Sequence, residues 1–209
     1  MAYTVKDCIL EIKRRTPIGN TKQPVPDELD ILAFINRVLN TIHNYGVYQR
    51  SPKLLQDDTL YTDKNGVIET TKVIQQIKDI YIKKDKLTQL VPFYSVDYET
   101  ILNTEEPLAY KITGTYTGSE MKIVANPGEG ATIHIVYYPV FEPLTERSET
   151  LPYSPELFNV IVDYTMALMT GSNKSVDDID MIPKNCVGVI SQYFRDIDGR
   201  DKIVAEGPW

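Results

Sequence analysis

Apolar residues recur every three or four positions near the start of the chain, which predicts amphipathic helices. Thr4 and Asp7 have the spacing of a capping box at a helix N-terminus. Asp27 is a suitable N-cap for a second helix, which we expect to end at Gly46. The first apolar stripe contains Val5, Cys8, Ile9 and Ile12, and the second contains Leu29, Leu32, Ile35, Val38, Leu39 and Ile42. A helix pair is therefore predicted at the start.

Between residues 51 and 142 the apolar period shortens to two, which is typical of half-buried strands. The stretch DTLYTDKNGVIETT, residues 58–71, predicts a hairpin because Asn65 and Gly66 both tolerate positive φ. Residues 73–90 predict a strand that turns at Lys84-Asp85. In that strand we expect two opposite faces, one with Ile77, Asp79, Tyr81 and Lys83 and the other with Lys78, Ile80 and Ile82.

The remainder of this region predicts a short helix at residues 91–103 and then three strands joined by glycine-containing turns. In the last strand Ile133, Ile135 and Tyr137 share one face. Pro139 should end that strand because proline has no backbone donor. The three strands are expected at residues 110–115, 120–124 and 131–138.

After an extended connection at residues 143–157, the helical period returns. It predicts a largely buried helix at 156–172 and a last helix at about 183–197. This order predicts an α+β fold in which the two helix pairs pack together as a body that carries an inserted antiparallel β lobe. We expect one unit with four parts: helical residues 1–50, the β lobe 51–142, helical residues 143–198 and a C-terminal arm 199–209.

The composition narrows the possible partners. The chain has 209 residues, a formal net charge of −7 and a pI of about 4.9, so it lacks the basic character that attracts nucleic-acid phosphates or an anionic membrane. Cys8 and Cys186 lie far apart in predicted helices and are expected to be buried thiols in a reducing compartment. A secretory signal and an 18-residue apolar span are both missing from the sequence, which predicts a soluble product made in a cytoplasm.

Candidate catalytic and ligand-binding groups are sparse. The two histidines, His43 and His134, have no neighbouring residues at metal-ligand spacing and are expected to be structural. Asp63-Lys-Asn65-Gly66 begins like a calcium loop, but the glycine stands at the fourth position and Ile74 at the twelfth, so a turn is favoured. Adjacent acidic residues such as Asp57 and Asp58 are typical of solvated or capping groups. We therefore predict no catalytic residue, no metal site, no cofactor and no enzymatic activity.

Two groups of apolar and aromatic residues are candidates for a protein interface. Tyrosine suits half-buried sheets and interfaces equally, because its ring packs while its hydroxyl stays hydrated. The arm after the last helix carries large apolar groups that a monomer seldom exposes, so it is either a frayed terminus or an arm that docks on a neighbouring subunit. The candidate interface residues are Tyr137, Tyr138, Tyr153, Ile203, Val204 and Trp209.

The rhythm of strands and turns resembles that of the head-to-tail adaptor proteins of tailed bacteriophages, including short-tailed and crAss-like phages. The resemblance covers residues 27–198. It rests on a set of short motifs: Tyr110-Lys-Ile-Thr-Gly114, Asn126-Pro-Gly128, Val136-Tyr-Tyr-Pro139, Pro143-Leu-Thr145, Leu151-Pro152 and the helix containing Val162-Asp-Tyr-Thr-Met-Ala167.

The resemblance implies a structural virion protein in the neck or tail that forms a ring of about twelve copies by head-to-tail contacts. The implied partners are other copies of the chain, the portal protein, neighbouring neck or tail rings and double-stranded DNA, which passes through the channel without sequence-specific binding. An acidic channel wall would repel DNA phosphates, so part of the negative charge is expected to face the channel.

Two alternatives stay open at this point. The first is a tail-tube or nozzle ring component, which differs in its neighbours but not in its chemistry. The second is a protein outside the virion that binds a ligand through the tyrosine-rich strands or acts as an interaction module. A pocket that gathers titratable groups such as His134 and Glu142 would favour ligand binding.

Overall fold

The computed structural model describes residues 2–16, 26–65, 67–83, 87–89, 91–92, 109–113, 121–125, 130–170 and 182–195. The fold is α+β, as predicted. The chain divides into two compact units. The helical unit consists of residues 1–53 and 141–209, and the β unit consists of residues 54–140. The sequence-based division had placed these boundaries at residues 50/51 and 142/143.

Four α-helices form the described core of the helical unit. They are α1, Val5–Arg15; α2, Glu28–Tyr48; α3, Phe158–Met169; and α4, Lys184–Phe194. Helix α3 contacts the other three, and on it only Asn159 and Asp163 are exposed. Both of these polar groups bind Arg15 of α1, at 2.8 Å and 2.7 Å. The two helix pairs thus pack together around α3, as expected.

The predicted helix starts are confirmed. The Thr4 hydroxyl accepts a hydrogen bond from the Asp7 amide, and the Asp7 carboxylate accepts one from the Thr4 amide, so the capping box is complete. Asp27 accepts from the Asp30 amide at 2.8 Å and caps α2.

The predicted end of α2 is wrong, because the helix continues past Gly46 to Tyr48. The termination signal lies further along the chain. Arg50 adopts a φ of 53°, the left-handed conformation that commonly follows a helix end. The Ser51 amide then donates to the Gly46 carbonyl oxygen, which closes the last turn. The predicted helix at 156–172 is likewise shorter than expected, because a single 3₁₀ turn at Pro155–Leu157 precedes α3.

The segment from residue 141 to 157, here called the returning segment, contacts three of the helices. Its Leu144 exchanges two backbone hydrogen bonds with the side-chain amide of Asn36 on α2, at 2.8 and 2.9 Å. The carbonyl oxygens of Arg147 and Glu149 accept from the first two amides of α1. The ring of Tyr153 lies edge-on to Phe194 of α4. The returning segment therefore satisfies backbone groups that the helix ends leave without partners.

The described residues of the β unit form eight strands, which are arranged in two four-stranded sheets. The first sheet has the order β1-β8-β3-β4 and the second has the order β2-β7-β6-β5. All neighbours are antiparallel except β5 and β6, which are parallel and depart from the predicted all-antiparallel lobe. The strands are β1, Gln56–Tyr61; β2, Ile68–Lys72; β3, Ile74–Lys83; β4, Leu87–Gln89; β5, Val91–Pro92; β6, Ala109–Thr113; β7, Met121–Ala125; and β8, Thr132–Pro139. The helix predicted at 91–103 begins with β5, and its other residues lie outside the described ones.

The hairpin predicted at residues 58–71 is wrong. A turn does form, because the Asp63 carboxylate accepts from the amides of Asn65 and Val67, both at 2.8 Å. The strands on either side nevertheless separate, since β1 pairs with β8 and β2 pairs with β7. A turn was predicted at the right place, but Asp63 closes it and Asn65 does not adopt the positive φ on which the prediction relied. The pairing partners were decided by distant strands.

The core of the first sheet lies on one face of β8. Ile133 and Ile135 are fully buried there and Tyr137 is nearly so, as the alternation predicted, and β8 ends at Pro139. Ile80 and Ile82 of β3 belong to the same core. Ile77 was predicted to lie on the face opposite Ile80 and Ile82, and this prediction is wrong. Ile77 packs on the same core, because a register shift between Ile77 and Asp79 changes the alternation of side chains.

The two ends of the β unit lie side by side. Gln56, at the start of β1, is the direct cross-strand partner of Tyr137, near the end of β8. Antiparallel partners have Cα atoms only about 5 Å apart. The chain therefore enters and leaves the β unit at neighbouring positions.

Candidate functional site

The three tyrosines predicted at an interface lie inside the chain. Tyr137, Tyr138 and Tyr153 each expose less than a tenth of their surface. The Tyr137 hydroxyl donates to Asp58 at 2.7 Å, and burial together with this bond raises the pKa of Tyr137 to about 12. The Tyr153 hydroxyl donates to the Leu39 carbonyl oxygen at 3.3 Å. These rings are occupied by packing within the chain, which leaves little of them for a neighbouring subunit.

The other three predicted interface residues, Ile203, Val204 and Trp209, lie outside the described residues. The docking of the arm at 199–209 on a neighbouring chain therefore stays a prediction.

The potential nucleophiles and bases are also held in structural contacts. Cys8 and Cys186 are buried, and burial raises the pKa of their thiols to about 12 and about 11. A raised pKa leaves little reactive thiolate near neutral pH. His43 is buried with its ring 6.0 Å from that of Phe141, and His134 contacts the Thr59 hydroxyl at 3.1 Å.

Two of the acidic groups that the sequence singled out make hydrogen bonds within the chain. Asp58 accepts from Tyr137, and Asp63 closes its own turn with backbone amides. Within the described part of the chain, no group of three or more His, Cys, Asp or Glu residues is placed to hold a metal ion. Among the same residues, none of the helices has the length and apolar character needed to span a membrane.

Two of the exposed apolar side chains of the helical unit form a different candidate site. Leu10 of α1 and Leu29 of α2 expose 55% and 75% of their surface. The Lys13 ammonium, one turn after Leu10, binds Glu28 at 2.5 Å, and Glu28 directly precedes Leu29. Arg147 of the returning segment binds the second oxygen of the same carboxylate. Both leucines therefore lie within about one helical turn of one ion-pair cluster. We call Leu10, Leu29, Lys13, Glu28 and Arg147 the leucine surface.

The sequence pattern had assigned Leu29 to the buried stripe of α2, and this assignment is wrong. The buried residues in the first half of α2 are Ile31, Ile35 and Val38. Leu29 precedes Ile35 by six residues, which corresponds to a rotation of about 240° around a helix with 3.6 residues per turn. A strict angular projection of the sequence would have placed Leu29 away from the buried stripe, whereas matching by spacing alone included it.

Ion pairs and backbone amides hold several carboxylates of the helical unit in their charged form. Hydrogen bonds from Arg14 and Arg15 lower the pKa of Glu11 to about 2. A bond from Lys13 lowers the pKa of Glu28, and backbone amides at Glu146 and Thr145 lower the pKa of Glu149. These carboxylates are at the surface, so solvent screens each contribution.

These lowered pKa values predict that the helical unit loses stability in acid. A carboxylate whose pKa is lower in the folded state stabilises the fold above its unfolded pKa, ordinarily about 4.5, and this contribution disappears as pH falls through the folded pKa. The unfolding temperature followed by helical circular dichroism should therefore fall between pH 4.5 and about 2. Glu11→Gln should flatten this fall more than Glu156→Gln at an exposed turn. An equal effect of the two variants would contradict the assignment to Glu11.

Comparisons with known proteins add no relative from which a function could be transferred. A scan against protein-family models finds no match, and a search of curated proteins finds none either.

Proposed function

We propose that the chain is a structural virion protein that forms a head-to-tail connector ring in a tailed bacteriophage, joining the portal to the tail and extending the DNA channel. The observation that carries the proposal is the leucine surface, because two largely exposed leucines beside one ion-pair cluster suit burial against another protein. The resemblance of residues 27–198 to adaptor proteins suggests which protein that is.

A ring contact of this kind joins two different surfaces of neighbouring copies, and repetition of such a head-to-tail contact closes a circle. The leucine surface supplies one side of the contact. Its mixed character, with apolar groups beside paired charges, is typical of interfaces that form after each subunit has folded. Neighbouring copies, the portal and further neck or tail rings are the proposed partners.

The acidity of the chain also fits the proposed role. A net charge of −7 gives DNA phosphates little to bind, which suits a wall around a duplex that must move. In this proposal part of the acidic surplus faces the channel, and contact with DNA is independent of sequence. A ring whose channel is lined mainly by lysine and arginine would contradict this part of the proposal.

Copy number in virus particles tests the proposed function. Quantitative mass spectrometry of particles whose genome encodes this chain should find it at the same copy number as the portal protein, in an isolated neck or tail fraction. Absence from particles, or a variable trace amount, would overturn the proposal. A copy number that matches another tail ring instead of the portal would favour the tail-tube or nozzle alternative.

A substitution on the leucine surface tests the observation on which the proposed function rests. Leu29→Glu adds a carboxylate to the first turn of α2, where the helix dipole tolerates negative charge, so the fold should be retained. At a ring contact the same carboxylate would be buried without a partner, at a cost of about 3 kcal/mol, which weakens each contact about a hundredfold. Incorporation into particles should therefore be lost.

Tyr61→Glu is the matched control, because Tyr61 has the same 75% exposure on β1 of the β unit. This variant should enter particles at the normal copy number. If Leu29→Glu is folded by circular dichroism and also incorporated normally, the leucine surface is not the ring contact.

A further inference from the structure

Lys53 makes an unusual pair of contacts at the point where the chain leaves the helical unit. It is the last residue of that unit before the β unit begins at Leu54. Its ammonium group donates a 2.5 Å hydrogen bond to the carbonyl oxygen of Tyr193 and also lies 4.1 Å from the centre of the Tyr193 ring. One side chain thus holds both the backbone and the ring of the same residue.

The position of Tyr193 explains why a cation is favourable there. Tyr193 lies in the last turn of α4, where carbonyl oxygens have no partner within the helix and the helix dipole is negative. Helix α4 has no basic residue in its own last turn. The C-cap residue is Arg195, and Lys53 adds a second positive charge at this helix end from a distant part of the sequence.

The returning segment reaches Tyr193 as well. The Ser154 amide donates to the Tyr193 hydroxyl at 3.5 Å, and the ring of Tyr153 lies edge-on to that of Tyr193 with centres 6.2 Å apart. Tyr193 thus contacts Lys53, which precedes the β unit in the chain, and also Tyr153 and Ser154 of the returning segment, which follows the β unit. It also lies two residues before Arg195, the C-cap residue of α4.

We propose that the contact between Lys53 and Tyr193 is a conformational lock, which couples the crossing into the β unit to the C-terminal end of α4. While the contact between Lys53 and Tyr193 is intact, residues 51–55 and the last turn of α4 can open only together. When it is released, both become mobile. The lock is a property of the isolated chain and does not depend on the proposed ring.

Hydrogen exchange of the full-length chain, resolved by mass spectrometry, tests the lock. Lys53→Met keeps an unbranched side chain, one atom shorter, but removes its charge. Exchange should become about tenfold faster both at residues 51–55 and in the last turn of α4, because a charge-assisted hydrogen bond is lost. Lys53→Arg keeps the cation and should restore slow exchange in both segments.

Lys64→Met is the control for net charge, since Lys64 is an exposed residue of the turn after β1, and it should leave both segments unchanged. A second variant, Tyr193→Leu, removes the ring that faces Lys53 and should speed exchange at residues 51–55, although it changes a residue 140 positions away. If Lys53→Met changes neither segment, or only one of them, the proposed coupling is wrong.

Discussion

Replacing Ile135 by alanine is expected to lower the free energy of unfolding of the β unit by about 3 kcal/mol. Ile135 is fully buried on the central strand β8, where it faces Ile80 of β3 on one side and Asp58 of β1 on the other. Removing its outer atoms leaves a cavity in a close-packed core, and that cavity adds to the lost hydrophobic stabilisation. The helical unit should keep its stability, because the core around Ile135 consists of β-unit residues.

Hydrogen exchange measured in increasing urea would give the free energy of opening of each unit. Val136→Ala is the matched control, since Val136 is the next residue of the same strand, only half-buried and on the opposite face. It should cost no more than about 1 kcal/mol. If Ile135→Ala reduced protection equally in α2 and in β8, the chain would unfold as one cooperative unit, contrary to this expectation.

Removing most of the β unit is expected to leave a folded helical unit. Gln56 and Tyr137 are direct cross-strand partners, so a Gly-Ser-Gly-Ser linker can replace residues 57–136 without moving the ends apart. The helices retain their own core, which includes Ile12, Ile35, Leu39 and Ile42, all fully buried. The shortened chain should show a helical circular dichroism spectrum and a cooperative unfolding transition, with a midpoint within about 5 °C of that of the helical unit in the full chain.

A core substitution in the shortened chain distinguishes a native core from a loose helical state. Ile35→Ala should lower the free energy of unfolding by about 3 kcal/mol if the core is packed. Ala33→Ser is the control, because Ala33 is an exposed residue of the same helix. The neighbouring Asn36 is unsuitable as a control site, because its side chain bonds the returning segment. A broad transition that does not respond to Ile35→Ala would mean that the helical unit requires the β unit.

Sequence patterns predicted those features of the fold that nearby residues determine. The capping box of Thr4 and Asp7, the cap at Asp27 and the buried face of β8 each depend on residues a few positions apart. The partners of β1 and β2 are distant strands, β8 and β7, so the hairpin prediction failed although its turn was real. The register shift in β3 was invisible for the same reason, since a bulge is defined by both strands.

The candidate site was harder to predict than the fold. Whether a large apolar residue is core or surface depends on what packs over it, and this information comes from the tertiary structure. The pattern placed Tyr137 on the face of Ile133 and Ile135, but it could not tell that Tyr153 would be enclosed by its own chain. The exposure of Leu29 follows from the helix angle, which matching by spacing alone ignored. The sequence pattern also did not predict the contact of Lys53 with Tyr193, because the two residues are 140 positions apart.

The returning segment has a consequence for how the protein forms during synthesis. Helices α1 and α2 emerge from the ribosome first, yet Leu144, Arg147 and Glu149, which bind them, follow only after the whole β unit. At about 5–20 residues per second, translation of that unit takes roughly 4 to 17 seconds. During this interval the apolar faces of α1 and α2 stay exposed on the nascent chain. We therefore expect the β unit, whose strands are complete first, to fold before the helices around its two ends, and chaperone binding to the nascent chain to concentrate on the first fifty residues.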